Sequence, residues 1–261
     1  MKAGRVGANL ATLANASLGV GSIAYTLAGN KLWAMLLIAG AIAFDGLDGL
    51  LSRRGGLPSG RFGRVADSLA DAISFAVAPG FLLTIHTDSA QLWSSFTGEA
   101  FLAAAAVTGL GLARLVYFTL RGYLRPYFVG ASTPQTALGV VLTVLLFDLP
   151  GYLGVHPIVV VLVTPLLALL MVLPIPYPKM RRGERFRWPM TLTAMAAAVA
   201  LVPIQFRPAP GTLPYAVGEW ATALFGVGLA SYYLGGPFSV RHYEARSSRE
   251  GKPTDRGGNH P

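Results

Sequence analysis

The chain has 261 residues, of which 53% are hydrophobic and 13% charged, with a positive mean hydropathy, which excludes an ordinary soluble domain and points to an integral membrane protein. It contains no cysteine, so disulfides and thiolate metal sites are excluded. The net charge of +9 has a use in membrane topology and in attraction to anionic headgroups, and no nucleic acid is expected as a partner.

Apolar runs of about 17–25 residues predict spanning helices near 10–29, 32–52, 64–86, 100–121, 134–149, 156–174, 189–205 and 213–235. The expected fold is therefore all-α, a polytopic bundle of about eight helices. The run that follows Met1 and Lys2 is read as the first span and not as a removed signal peptide. A cytoplasmic N-terminus puts every one of the 21 basic residues except Lys31 and Arg207 on the inner side, a strong positive-inside bias. Both termini are then cytoplasmic. Residues 1–235 are expected to form the membrane domain, and 236–261 a polar, breaker-rich tail that is disordered.

The second and third spans carry an anomaly. Asp45, Asp48, Asp67 and Asp71 are a third of the 12 acidic residues, and they stand on segments otherwise apolar enough for a bilayer. Four unpaired carboxylates at mid-membrane would cost on the order of 10 kcal/mol, so a cation must share the site. Asp45 and Asp48 are three apart and Asp67 and Asp71 four apart, which puts each pair on one face of its helix. The hairpin through 53–63 brings both pairs to a similar depth near the cytoplasmic surface. An all-oxygen set without thiol or histidine suits Mg²⁺, Mn²⁺ or Ca²⁺. Two such ions would clamp a diphosphate and favour in-line displacement. Gly46, Gly49 and Gly63 leave room for close approach, and Arg53 shares the face of Asp45, two turns on. For Arg54, Arg61 and Arg64 the plainer reading is topology anchoring.

The pattern D-x2-D-G-x2-S-R-x9-G-x3-D-x3-D from Asp45 to Asp71 resembles the defining motif of the CDP-alcohol phosphotransferase family. Ser52 replaces the usual alanine, and nine residues separate Arg53 from Gly63 where eight are commoner. The resemblance implies that Asp45, Asp48 and Asp67 bind a pair of divalent metal ions, Mg or Mn, and that Asp71 is a ligand or neighbour that also deprotonates the acceptor hydroxyl. It implies that Gly49, Arg53, Ser59 and Gly63 contact the CDP moiety. ANLATLAN, at residues 8–15, resembles the family's P-N-x2-T element with Ala8 in place of proline, which makes Asn9 and Thr12 candidate nucleotide contacts; helix start and capping is the alternative.

Within the family, DSLADAISFAVAPG resembles the serine-transferring branch, the phosphatidylserine and archaetidylserine synthases. The Ala113-Arg114 pair, GASTPQTA and PIPYPK at 174–179 agree with that branch. The expected activity is transfer of a phosphatidyl-type group from CDP-diacylglycerol or CDP-archaeol to the hydroxyl of L-serine with release of CMP, by an integral cell-membrane enzyme whose site faces the cytoplasm. The resemblance also implies a homodimer among membrane lipid. Arg114 either pairs with an anionic group of the acceptor or lipid, or is a snorkelling anchor. Ser74 and Phe75 either shape the acceptor pocket or pack. Glycerol phosphate or inositol phosphate are alternative acceptors, and a cation-coupled transporter is the alternative from another class.

Overall fold

The computed structural model describes residues 2–54, 61–84, 97–121, 128–148, 158–177, 211–238 and 240; for 2–6, 8, 48–54, 61, 62, 97, 121, 147, 148 and 158 it describes the backbone alone. Among the described residues the chain is helical, as expected, apart from one short strand pair. Helices α1 (Lys2–Leu27) and α2 (Lys31–Arg54) form an antiparallel hairpin. Its turn is set locally. Gly29, at φ +76°, takes the left-handed conformation that ends α1, with Gly29 N donating to Thr26 O and Asn30 N to Tyr25 O at 2.9 and 2.8 Å. Asn30 then caps α2, its Oδ1 accepting from Trp33 N at 3.3 Å. Tyr25 stacks on Trp33 beside this turn, the placement expected of an interfacial aromatic pair.

The third helical rod is continuous from Arg61 to Thr84 but changes pitch: α3 (Arg61–Asp71), a π-helical turn (Ala72–Val77) and α4 (Ala78–Thr84). Pro79 supplies the cause. It has no N–H to return to Phe75, and its ring crowds the Phe75 carbonyl, so the preceding turn widens. The second π-helical turn, Ser231–Gly235, likewise ends two residues before Pro237.

Helices α5 (Thr97–Arg121), α6 (Thr133–Asp148), α7 (Ile158–Val172) and α8 (Leu213–Ala230) complete the described bundle. Strands β1 (Phe128–Val129) and β2 (Pro176–Tyr177) pair antiparallel, Phe128 opposite Tyr177. Gly130, at φ +78°, follows β1, and any Cβ there would overlap the Met171 carbonyl. Phe75, Met35, Ile38, Leu82, Leu138, Leu145 and Phe225 form the interior. Leu102, Leu120, Leu162, Trp220 and Leu224 face outward, as on helices solvated by hydrocarbon.

Among the described residues, three stretches are long and apolar enough to cross a membrane, Asn9–Leu27, Gly63–Leu82 and Gly98–Leu120; Thr133–Leu146 and Val159–Val172 are apolar but shorter. At 1.5 Å per residue, α6 and α7 extend only about 22–24 Å, less than a 30 Å hydrocarbon core. The expected seventh span, 189–205, lies outside the described residues, and so does the tail from 241; helix continues to Phe238, beyond the expected boundary at 235.

Candidate metal centre and its surroundings

Asp45 projects from α2, Asp67 and Asp71 from α3, and one carboxylate oxygen from each lies within 4.8 Å of the others. All three are partly buried. Oxygens on opposite sides of a Mg²⁺, Mn²⁺ or Ca²⁺ ion are about 4–5 Å apart, so these three acids fit a hard divalent cation by donor type and by spacing. With about 1.5 Å rise per residue, Asp67 and Asp71 stand about 9 and 15 Å along the rod from Arg61. The cluster thus sits toward the Arg54–Arg61 end of its helices, and the Tyr25–Trp33 pair marks the other.

Helix α1 supplies the third wall. Buried Asn15 donates from Nδ2 to Asp71 Oδ1 at 3.0 Å, and its backbone carbonyl accepts from Ser74 Oγ at 2.8 Å. Gly19 makes this approach possible, because a Cβ there would stand 2.8 Å from the Ser74 Cα. Contacts of Ser22 with Ala34 and of Gly21 with Leu37 set the antiparallel register of α1 and α2, which puts Thr12 level with Asp45 and Asn9 level with Asp48. The Asn15–Asp71 bond and the Gly19–Ser74 contact set the parallel register of α1 and α3, which puts Thr12 level with Asp67 too. Since α1 begins at Lys2, Asn9 and Thr12 are interior helical residues and not caps.

Helix α5 braces the other side. Thr119 Oγ1 donates to Leu115 O at 2.8 Å and sits 2.7 Å from Ser68 Oγ, so Ser68 is the donor of that pair and ties the residue beside Asp67 to α5. Phe75 is buried in the core, and Ser74 is spent on the Asn15 carbonyl.

Arg114, on α5, is turned to the segment that follows β1. It is 5% exposed, which removes it from snorkelling, and it donates from Nε to Ala131 O and from Nη2 to Gly130 O at 3.3 Å, with the Phe128 ring 5.8 Å away. Gly130 N donates in turn to Ile175 O at 2.8 Å, and Ser132 N to the Tyr232 hydroxyl at 3.0 Å. Ala113-Arg114, GASTPQTA and PIPY, distant in sequence, therefore meet at one place, closed by stacked Tyr177 and Tyr232. Burial, with Tyr232 beside it, pushes the Tyr177 phenol up to about 12, so it stays a neutral donor, 3.4 Å from Tyr233 O.

Asp48, Gly49 and Arg53 are described by their backbone alone, on a helix that runs on to Arg54; Ser59 lies outside the described residues altogether. Gly63 sits in the first turns of α3, two residues after its start. Asn15 is a site residue that spacing offers without announcing: it follows Asn9 and Thr12 at intervals of three, along one helix face. The π-helical turn after Asp71 has only Pro79 as its sequence signal.

Known proteins resemble this chain over much of its length. The chain is 35% identical over 136 residues to the CDP-diacylglycerol–serine O-phosphatidyltransferase of Mycobacterium leprae, covering 50% of this chain and 43% of that protein. It is 34% identical over 140 residues to the Helicobacter pylori protein of the same name, covering 53% and 56%. With the archaetidylserine synthase of Methanothermobacter thermautotrophicus it shares 30% identity over 172 residues, 66% of this chain and 69% of that protein. The matched part thus spans about half the length of the two bacterial relatives. The family model for CDP-alcohol phosphatidyltransferases matches residues 5–230, which take in α1, the three clustered aspartates and the Arg114 hook, and the chain belongs to that family.

Proposed function

We propose that the protein transfers a phosphatidyl-type group from a CDP-linked lipid, CDP-diacylglycerol or CDP-archaeol, to the hydroxyl of L-serine, releasing CMP. The observation that carries this reading is the convergence of Asp45, Asp67 and Asp71 from two helices in a member of this family. The names of its relatives support serine as the acceptor. Asp45, Asp48 and Asp67, with Asp71 beside them, would hold Mg²⁺ or Mn²⁺, two ions in all. When bound, the metal neutralises the diphosphate and the departing CMP.

The residues of the chain do the rest. Asp71 takes the hydroxyl proton while the serine oxygen forms its bond to the lipid-side phosphorus; the phosphorus–oxygen bond to CMP breaks, and its electron pair leaves with CMP. Gly49, Arg53, Ser59 and Gly63 would hold the CDP moiety, and Asn9 and Thr12, level with the acids, would contact the nucleotide. Arg114, whose Nε and Nη2 are held by the Ala131 and Gly130 carbonyls, would pair with an anionic group of the acceptor or the lipid through its remaining N–H groups. Each subunit of a homodimer would cross the cell membrane eight times, with both termini and the acid cluster toward the cytoplasm and the residues after the last helix as a tail.

Purified protein given CDP-diacylglycerol, Mn²⁺ and a panel of alcohols should release CMP with L-serine. Release only with glycerol phosphate or inositol phosphate would reassign the acceptor. No release with any alcohol would reject the transfer and favour cation transport.

A further inference from the structure

We propose that Asn15 is the positioning residue of Asp71, making α1 part of the acid site through a bond to the carboxylate and not only through level placement of its polar face. The inference rests on the transfer reading for what Asp71 does, but its geometry stands apart from it.

Asn15 is 0% exposed, and its amide is split in use: Nδ2 donates to Asp71 Oδ1 at 3.0 Å, whereas Oδ1 is buried with no partner among the described residues. A flipped amide would set oxygen against oxygen, so the carboxylate fixes the orientation. A buried amide with an unsatisfied acceptor costs stability, and leucine, with the same branching and no polar atom, would avoid that cost. The residue is therefore poorly explained by folding and well explained by delivery of one N–H to one carboxylate oxygen. That bond restrains rotation of the Asp71 carboxylate, one oxygen of which lies within 4.8 Å of an oxygen from each of Asp45 and Asp67.

The backbone is built to hold the donor in place. Ser74 Oγ grips the Asn15 carbonyl at 2.8 Å from the π-helical turn that follows Asp71, and Gly19, one turn on, lets the two helices close. The carboxylate and the amide that orients it are thus locked to each other from both sides, across two helices separated in sequence.

The test compares Asn15→Leu, and Asn15→Ala should the leucine not fold, with the parent chain and with Ser22→Ala. Ser22→Ala breaks another buried tie of α1, the bond to Ala34 O at 2.9 Å, without touching Asp71. Mn²⁺ binding is followed by electron paramagnetic resonance, and CMP release with serine by steady-state kinetics. Loss of a partner behind a metal-binding carboxylate typically costs 10–100-fold. The Asn15 variant should bind Mn²⁺ about tenfold more weakly and lose 10–100-fold in kcat, with KM for CDP-diacylglycerol within about twofold of the parent. Ser22→Ala should bind Mn²⁺ like the parent. Parent-like Mn²⁺ binding and kcat in the Asn15 variants would overturn the proposal, as would equal losses in Ser22→Ala, which would make the effect one of packing. Should the parent itself release no CMP, the transfer reading falls, and the Mn²⁺ comparison alone decides the role of Asn15.

Discussion

Asp71 and Asp67 stand one helical turn apart and contribute oxygens to the same cluster, yet their surroundings differ. Asp71 receives the Asn15 amide from α1, whereas Asp67 is followed by Ser68, which is tied to α5. On the proposed reading, the first arrangement would orient a carboxylate for proton transfer, and the second would fix a ligand-bearing turn against a neighbouring helix. The two should therefore fail differently. Asp71→Asn is expected to lower turnover by about 10²–10⁴-fold, the usual worth of a general base, while CDP-lipid binding is retained; equilibrium binding of labelled CDP-diacylglycerol beside a turnover assay checks this. Asp67→Asn should lose Mn²⁺ binding and activity together, and an Asp67→Asn protein that binds Mn²⁺ like its parent would remove Asp67 from the ligand set.

Among the elements, the contact of α1 with the third rod does the most to build the site. It depends on two local facts: the absence of a side chain at Gly19, and the wide turn that Pro79 imposes on residues 72–77. Overpacking a close contact costs about 1–3 kcal/mol. Gly19→Leu should lower stability by that order and weaken Mn²⁺ binding with it, read by thermal unfolding in detergent and by a metal titration. The sequence reaches part of this. Asp45, Asp67 and Asp71 are legible because a carboxylate in an apolar helix is so costly that it demands an explanation, and helical spacing then sorts the acids into facing pairs. Asn15 is less legible, because one amide in an apolar helix is cheap and its partner stands 56 positions away. The Arg114 hook is illegible for a further reason: it donates to backbone carbonyls, which every residue has, so no side-chain pattern marks Gly130 and Ala131 as its partners.

For the molecule as a whole, the charge distribution and the acid cluster give a joint prediction of orientation. The aromatic Tyr25–Trp33 pair at the α1–α2 turn and the Arg54–Arg61 ends of the next turn mark opposite sides of the bundle, with the acids nearer the arginines. The chain has no cysteine, so single introduced thiols report position without background. In intact cells, Asn30→Cys should react with a membrane-impermeant maleimide and Ser248→Cys should not; the reverse pattern would turn the site to the outer face and away from cytoplasmic CDP-lipid. The apolar outer faces of α5 and α8 expose Leu102, Leu120, Trp220 and Leu224, and on the proposed reading the lipid tails of the donor would stay in contact with the bilayer.

The most direct measurement of the central claim is the incorporation of labelled L-serine into lipid by the purified protein, followed together with CMP. Label is expected in the lipid fraction in equal amount to CMP released, with arrest by EDTA and recovery with added Mn²⁺. Serine incorporation that continues unchanged in EDTA, or CMP release with no label entering lipid, would contradict it.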